Sequence, residues 1–340
     1  LSGNVYRLAV GSLSATTLNL GTIRAGGSVG GTTLTVSNSA SNDGFSDLLG
    51  VSAGAGTGFS LTGGSATLSA GSGSAMSVGY TGDTTTAGLK SGSLTLTLNS
   101  IGQAGTGLST VGLANQYVNA TATVFRVAVG KLVSGGSILA NGGTLNLGKI
   151  REGGSFGTTF LDVRNVVASD SYSESLNAGI SGTGGFGSGN GSANLVVAGG
   201  TATGALTLGL GAGTFATAGV KSGSVAVGFV TDGTGTSGLG TLAVGTQTVN
   251  LTGTVYRLGV GSLAAASLTL AAVREGGTFA SGTLNVYNTA ATDGLSESLN
   301  VSLGGTRGAA SIASGSLSLL AAGANDATTL RVSLSDSASA

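Results

Sequence analysis

No cysteine, proline, histidine or tryptophan occurs in this chain of 340 residues, and methionine occurs once. Without cysteine there is no disulfide framework, no thiolate site and no iron–sulfur cluster. Without histidine the commonest general base and the commonest zinc ligand are both missing. Charge is scarce as well. Only 8% of residues are charged, and 13 basic residues balance 13 acidic ones. A chain so poor in cations is a poor match for the phosphate backbone of a nucleic acid. No apolar run reaches the roughly 18 residues that a transmembrane helix needs. Collagen is excluded too, because it requires proline and a strict glycine at every third position.

Glycine is abundant, at 66 residues, and 40% of the chain is hydrophobic. That apolar content opposes disorder, since disordered chains are poor in apolar residues. Leu1-Ser2-Gly3-Asn4 shows neither an initiator methionine nor a signal-peptide pattern. It reads as part of a longer product.

Internal repeats organise the rest. Tyr6-Arg7-Leu8-Ala9-Val10-Gly11 returns as Phe125-Arg126-Val127-Ala128-Val129-Gly130 and again as Tyr256-Arg257-Leu258-Gly259-Val260-Gly261. A second marker is Arg24-Ala25-Gly26-Gly27, then Arg151-Glu152-Gly153-Gly154, then Arg274-Glu275-Gly276-Gly277. After each of these arginines the same residue classes follow at fixed offsets. They are Asn38, Asn165 and Asn288; then Asp43, Asp170 and Asp293; then Asp47, Glu174 and Glu297; then Leu49, Leu176 and Leu299. A constant spacing in three copies marks a packed stretch, because loops vary in length. Lys90-Ser91-Gly92-Ser93 returns once, as Lys221-Ser222-Gly223-Ser224, and the third copy stops about where it would begin.

Within each copy the pattern has a period of two. Leu94, Leu96 and Leu98 alternate with threonine, as Val249 and Leu251 alternate with Asn250 and Thr252. Such alternation predicts strands with one buried and one polar face. About seven short strands in a repeat of about 120 residues predict an all-β array of tandem immunoglobulin-like antiparallel sandwiches. A parallel β-solenoid is the alternative fold, although its rungs would repeat every ~20–30 residues. The expected units are residues 6–124, 125–255 and 256–340, the last incomplete, with 1–5 as the end of a preceding unit's closing strand. The apolar parity flips between Val255 and Tyr256, which predicts a strand running directly from one unit into the next. No linker intervenes. Tyr6, Phe125 and Tyr256, with Phe45, Tyr172, Phe59 and Phe186, are the expected aromatic anchors of the cores.

Leu147-Gly-Lys-Ile-Arg-Glu-Gly-Gly154, the Thr/Leu/Val-Asn strand, the Lys-Ser-Gly-Ser segment and the closing Val-Asn-Leu-Thr-Gly resemble bacterial choice-of-anchor D repeats, which are related to Hydin-type sandwiches. The resemblance covers nearly the whole chain. It implies a scaffold or adhesive role in large secreted or surface proteins of Gram-negative bacteria, with no catalytic residues.

The residues themselves point to no reaction. Gly182–Gly187 and Gly233–Gly238 fit a nucleotide-binding glycine pattern, but neither opens a helix. The acids Asp43/Asp47, Asp170/Glu174 and Asp293/Glu297 are the one carboxylate constellation. They read as exposed turns or as ion pairs with a recurrent arginine, with calcium as a sharper alternative. Arg7, Arg126 and Arg257 are expected to cover and pair across the seams. Lys90 and Lys221 are expected to keep a strand edge soluble. The functional expectation is a non-catalytic module of an extracellular bacterial filament, sheath or fibre. Its expected partners are copies of itself or further repeats, head to tail. The alternative is the stalk or passenger of an adhesin or autotransporter.

Overall fold

Strands are the regular secondary structure found among the described residues of the computed structural model, which are 1–54, 56–211 and 213–335. Among the described residues no helix is long and apolar enough to cross a membrane. Valine, leucine and threonine alternate along the strands, and glycine, serine, asparagine and aspartate occupy the turns, as the preferences of the two settings require.

The first group of strands is β1 (Gly11–Leu13), β2 (Thr17–Arg24), β3 (Thr32–Asn38), β4 (Leu48–Gly54), β5 (Phe59–Thr62), β6 (Ser65–Leu68), β7 (Gly73–Tyr80), β8 (Gly88–Ile101), β9 (Val111–Gly112) and β10 (Gln116–Phe125). One sheet has the order β1-β3-β7-β5. The other has the order β2-β10-β8-β4-β6, with β9 beside β8. Their inner faces enclose a core that includes Leu34, Val36, Leu49, Phe59, Met76, Leu94, Leu96 and Val118.

The second group is β11 (Gly130–Ser134), β12 (Ser137–Ile138), β13 (Gly143–Arg151), β14 (Thr159–Asn165), β15 (Ser175–Gly185), β16 (Gly187–Val196), β17 (Thr201–Leu210), β18 (Gly219–Asp232) and β19 (Thr241–Tyr256). It repeats the plan, with the order β12-β11-β14-β17-β16-β15-β18-β19-β13. The two sheets join here because β16 serves both. Its first half, from Gly187 to Gly191, pairs with β17, and its second half pairs with β15. In both groups the pairing is antiparallel except at one place. β10 runs parallel to β2, and β19 runs parallel to β13.

The third group is β20 (Gly261–Leu263), β21 (Gly282–Thr283), β22 (Val286–Asn288), β23 (Leu299–Ser302), β24 (Ala310–Ser314), β25 (Ser316–Leu320), β26 (Asn325–Asp326) and β27 (Arg331–Leu334). These form three small sheets, β20-β22-β26, β21-β27-β24 and β23-β25. Counterparts of β8 and β10 are missing among the described residues. The consequence appears in the core: among the described residues its hydrophobic cluster has three buried members, Val286, Leu320 and Leu330, against 14 in the first cluster and 19 in the second.

Two readings of the sequence need correction. Phe59 is fully buried, but Phe45, whose ring meets Tyr6 at 5.7 Å, is 44% exposed, and Phe186 is 48% exposed. Phe186 sits on the tight turn between β15 and β16, and its ring packs on Phe215 at 5.4 Å instead of entering the core. Lys90 and Lys221 lie on β8 and β18, which are inner strands, not edges. Lys221 lies over the Phe186 and Phe215 rings, at 5.8 and 6.0 Å, a favourable placement of a cation on an aromatic face.

Candidate interaction site at the joints between repeats

Each repeat begins with a small assembly built from backbone outward. The N–H groups of Arg7, Arg126 and Arg257 donate to the carbonyls of Phe45, Tyr172 and Leu295. The N–H groups of Asp47, Glu174 and Glu297 return a bond to the three arginine carbonyls. This two-way bridge fixes the acidic loop against the first residues of the repeat. Within the loop Asp43 Oδ1 accepts the Phe45 N–H at 3.0 Å, and Asp170 and Asp293 accept the equivalent N–H groups. The second carboxylate oxygen meets the arginine: Arg7 with Asp43 at 2.5 Å, Arg257 with Asp293 at 2.5 Å, and Arg126 with Asp170.

These hydrogen bonds favour the charged carboxylate. Asp170 and Asp293 are held below the ordinary 3.8 first by their arginine and then by the loop N–H. For Asp43 the Phe45 N–H is the larger cause and Arg7 the second. Among the described residues no three histidine, cysteine, aspartate or glutamate side chains gather as a metal site.

Arg24 and Arg151 do something different. They end β2 and β13, and each reaches the acid of the following repeat. Arg24 Nε donates to Glu174 Oε2 at 2.8 Å, and its guanidinium also meets the Gly240 carbonyl. Arg151 Nε donates to both carboxylate oxygens of Glu297, at 2.8 and 3.0 Å. Glu174 is fully buried and also accepts the Thr231 and Ser237 hydroxyls. It is therefore no exposed turn residue, unlike Asp170 in the same loop. At the second joint Glu152 returns the favour, standing 3.9 Å from Arg257. Backbone completes the join: the N–H groups of Ala25 and Glu152 donate to the carbonyls of Phe125 and Tyr256. The Arg-x-Gly-Gly turn follows at once, with Gly26 and Gly153 both at φ +81°, a conformation open to glycine without strain.

The outer face of the first repeat lacks such a partner. Asp47 is buried, and its Oδ2 accepts the Ser100 hydroxyl at 2.8 Å. Its Oδ1 has no hydrogen-bond partner. At the far side of the chain, the Arg274 side chain appears in no ion pair among the described residues.

One role escaped the sequence reading. Asn38, Asn165 and Asn288 stood out there only as markers. Each is buried, and each amide ties four backbone groups together. Asn165 Nδ2 donates to the Glu174 and Val196 carbonyls, both at 3.1 Å, while its Oδ1 accepts the Val129 and Val167 N–H groups. Asn38 and Asn288 make the same set. Their constant distance from the acid was the signal. The asparagine holds the acid's own carbonyl, and so it sets the height of the carboxylate at the joint. A cleft of about 780 Å³ opens at the second joint, lined by Lys149, Arg151, Tyr256, Glu297, Asn300 and Leu319 among others.

No family model and no curated protein matches this chain. Solved structures similar to it are 8–14% identical to it. A protein of unknown function from Porphyromonas gingivalis W83 is 11% identical, with 72% of this chain and 99% of that chain covered and a TM-score of 0.30. The SafA pilin–SafB chaperone complex of Salmonella enterica is 13% identical, covering 72% and 98%, with a TM-score of 0.27. A protocadherin extracellular domain is 12% identical, covering 98% and 44%, with a TM-score of 0.36.

Proposed function

We propose that this chain is a non-catalytic structural module of an extracellular bacterial filament, sheath or surface fibre, built of choice-of-anchor D-like repeats joined head to tail. The observation that carries this reading is the construction of the joints. β10 ends at Phe125, and the next residue, Arg126, is already bonded to the following repeat's acidic loop. β19 and Arg257 repeat the arrangement. A connection with no free residue, braced by an arginine–carboxylate pair, restrains rotation between repeats, where a flexible linker would permit it. The chemistry that recurs in each repeat is thus spent on holding repeats in line. A second reading, the stalk of an adhesin or autotransporter, uses the same stiffness to carry a binding tip.

Electron microscopy of the native material separates these uses. Continuous beaded fibres are the expected result. Isolated stalks projecting from a cell would favour the second reading, and turnover of a substrate by the purified chain would overturn both.

A further inference from the structure

The joints do not account for every side chain that the repeats share. Two rows of side chains cross the outer face of the sheet on β2, β10 and β8. Thr17, Asn119 and Ser93 stand side by side in one row, and Asn19, Thr121 and Ser91 in the other. In the second repeat the rows on β13, β19 and β18 are Thr144, Asn250 and Ser224, then Asn146, Thr252 and Ser222. All six positions hold the same residue in both repeats. Inner positions of the same strands do not: Leu94, Leu96, Leu98 and Ala120 are matched by Val225, Val227, Phe229 and Leu251, all buried. Outer positions beyond the rows differ as well, with Thr95 matched by Ala226, Thr97 by Gly228 and Tyr117 by Thr248. Exposed substitutions usually change stability little. Stability therefore does not explain six identical side chains outside a core that varies.

These side chains are open to a ligand. In both repeats they are uncharged, and each is exposed or half-buried. The hydroxyls of Ser91, Ser93, Ser222 and Ser224 take part in no hydrogen bond among the described residues. Asn19 and Asn146 are held in one pose, because their Oδ1 atoms accept the Gly21 and Gly148 N–H groups at 2.9 and 2.8 Å. Each amide nitrogen is left as a donor. In the second repeat the rows line a shallow depression of about 440 Å³, bordered by Gly184 and Gly185. A Cβ on Gly184 would stand 2.8 Å from Ser224 Oγ, so glycine there keeps that hydroxyl open.

We propose that each array binds an uncharged polysaccharide, its serine, threonine and asparagine side chains exchanging hydrogen bonds with sugar hydroxyls. The inference goes beyond the scaffold reading above and does not depend on it. An anionic ligand calls for lysine or arginine, and a hard metal ion for carboxylates, and the six positions hold neither. Serine, threonine and asparagine both donate and accept, as a sugar hydroxyl does. Neighbours in a row lie about 4.8 Å apart across the strands, and the rows about 6.7 Å apart along them. Such a flat lattice suits an extended chain, where a single small molecule is held in a deep, mostly apolar pocket. A second copy of this chain is a poorer fit, because protein contacts centre on apolar and aromatic anchors and the rows contain none. Two arrays on one chain strengthen binding to a repeating ligand beyond either alone.

Retention of residues 1–340 on cellulose, chitin, starch and dextran, with anionic alginate as control, tests this. The unaltered chain should bind at least one of the four uncharged polymers and not alginate. Ser91→Ala with Ser93→Ala should weaken retention at least about tenfold, because one array then acts alone. Adding Ser222→Ala and Ser224→Ala should reduce it to the level of alginate. None of the four hydroxyls holds another group in place, and circular dichroism checks that the β content is kept. Thr97→Ala, on β8 outside the rows, should change nothing. Failure to bind any of the four polymers would overturn the proposal, as would equal binding to alginate or retention that the four alanines leave unchanged. Self-association that the alanines abolish, with no polymer bound, would overturn it too and make this face a contact between copies. The scaffold reading would survive each of these results, since the joints lie elsewhere.

Discussion

At the residue scale, the buried asparagine and the exposed aspartate have opposite energetics. Asn165→Ala removes four hydrogen bonds and leaves buried N–H and carbonyl groups without partners, each worth about 1–3 kcal/mol. Chemical denaturation should show a loss of at least about 3 kcal/mol. The loop aspartates act through pH. Their folded-state values lie below the ordinary 3.8, so the unfolded chain takes up protons first as pH falls. Their contribution is fully present above about pH 4 and is lost as pH drops through the lowered values. Thermal midpoints measured from about pH 5 to pH 2 should fall, and Asp170→Asn should flatten that fall without altering the neutral-pH fold. The sequence displayed these aspartates at a fixed distance from Arg24, Arg151 and Arg274, yet they pair with Arg7, Arg126 and Arg257. The constant spacing arises because the asparagine that ends β3, β14 and β22 is bonded to the acid's carbonyl in each repeat, which fixes the loop between them. The true partner of Arg24 lies in the next repeat, at Glu174, where no spacing within a repeat could reveal it.

At the scale of single elements, the period-two pattern was legible because each strand has one wet face. The parallel contact of β2 with β10 was not, since alternation reports faces and not neighbours. The inner position of β8 and β18 was hidden for the same reason, and Lys90 and Lys221 misled because their stems lie on the sheet while their charge finds Asp83 or an aromatic face. The glycine that closes the first marker has a physical explanation. A Cβ on Gly130 would collide with the Phe229 ring, and one on Gly11 would meet Leu98 at 2.5 Å. Gly130→Ala should therefore cost about 2 kcal/mol by overpacking, read as a lower denaturation midpoint with an unchanged slope.

At the scale of the molecule, the tandem architecture was written in the repeated markers, while the unequal cores were legible only in part. The sequence showed that two strands had no third copy. It did not show that the remaining strands would form three small sheets around a hydrophobic cluster with three buried members. Opening free energy follows the density of buried contacts. Hydrogen exchange should therefore be fast across residues 261–334 and slow in β8, β10, β18 and β19. Equal protection in the three repeats would contradict this.

The parallel pairing of β13 with β19 also sets how the chain bears tension. A pull along the array draws β19 forward through Tyr256 and β13 backward through the preceding chain. Parallel neighbours drawn in opposite senses slide, so the whole ladder from Gly143↔Val249 to Arg151↔Tyr256 is loaded together. Its bonds must break as a group instead of unzipping one by one. β2 and β10 give the first repeat the same clamp. Each clamp closes its own repeat, so load passes from the first repeat to the second without unzipping either.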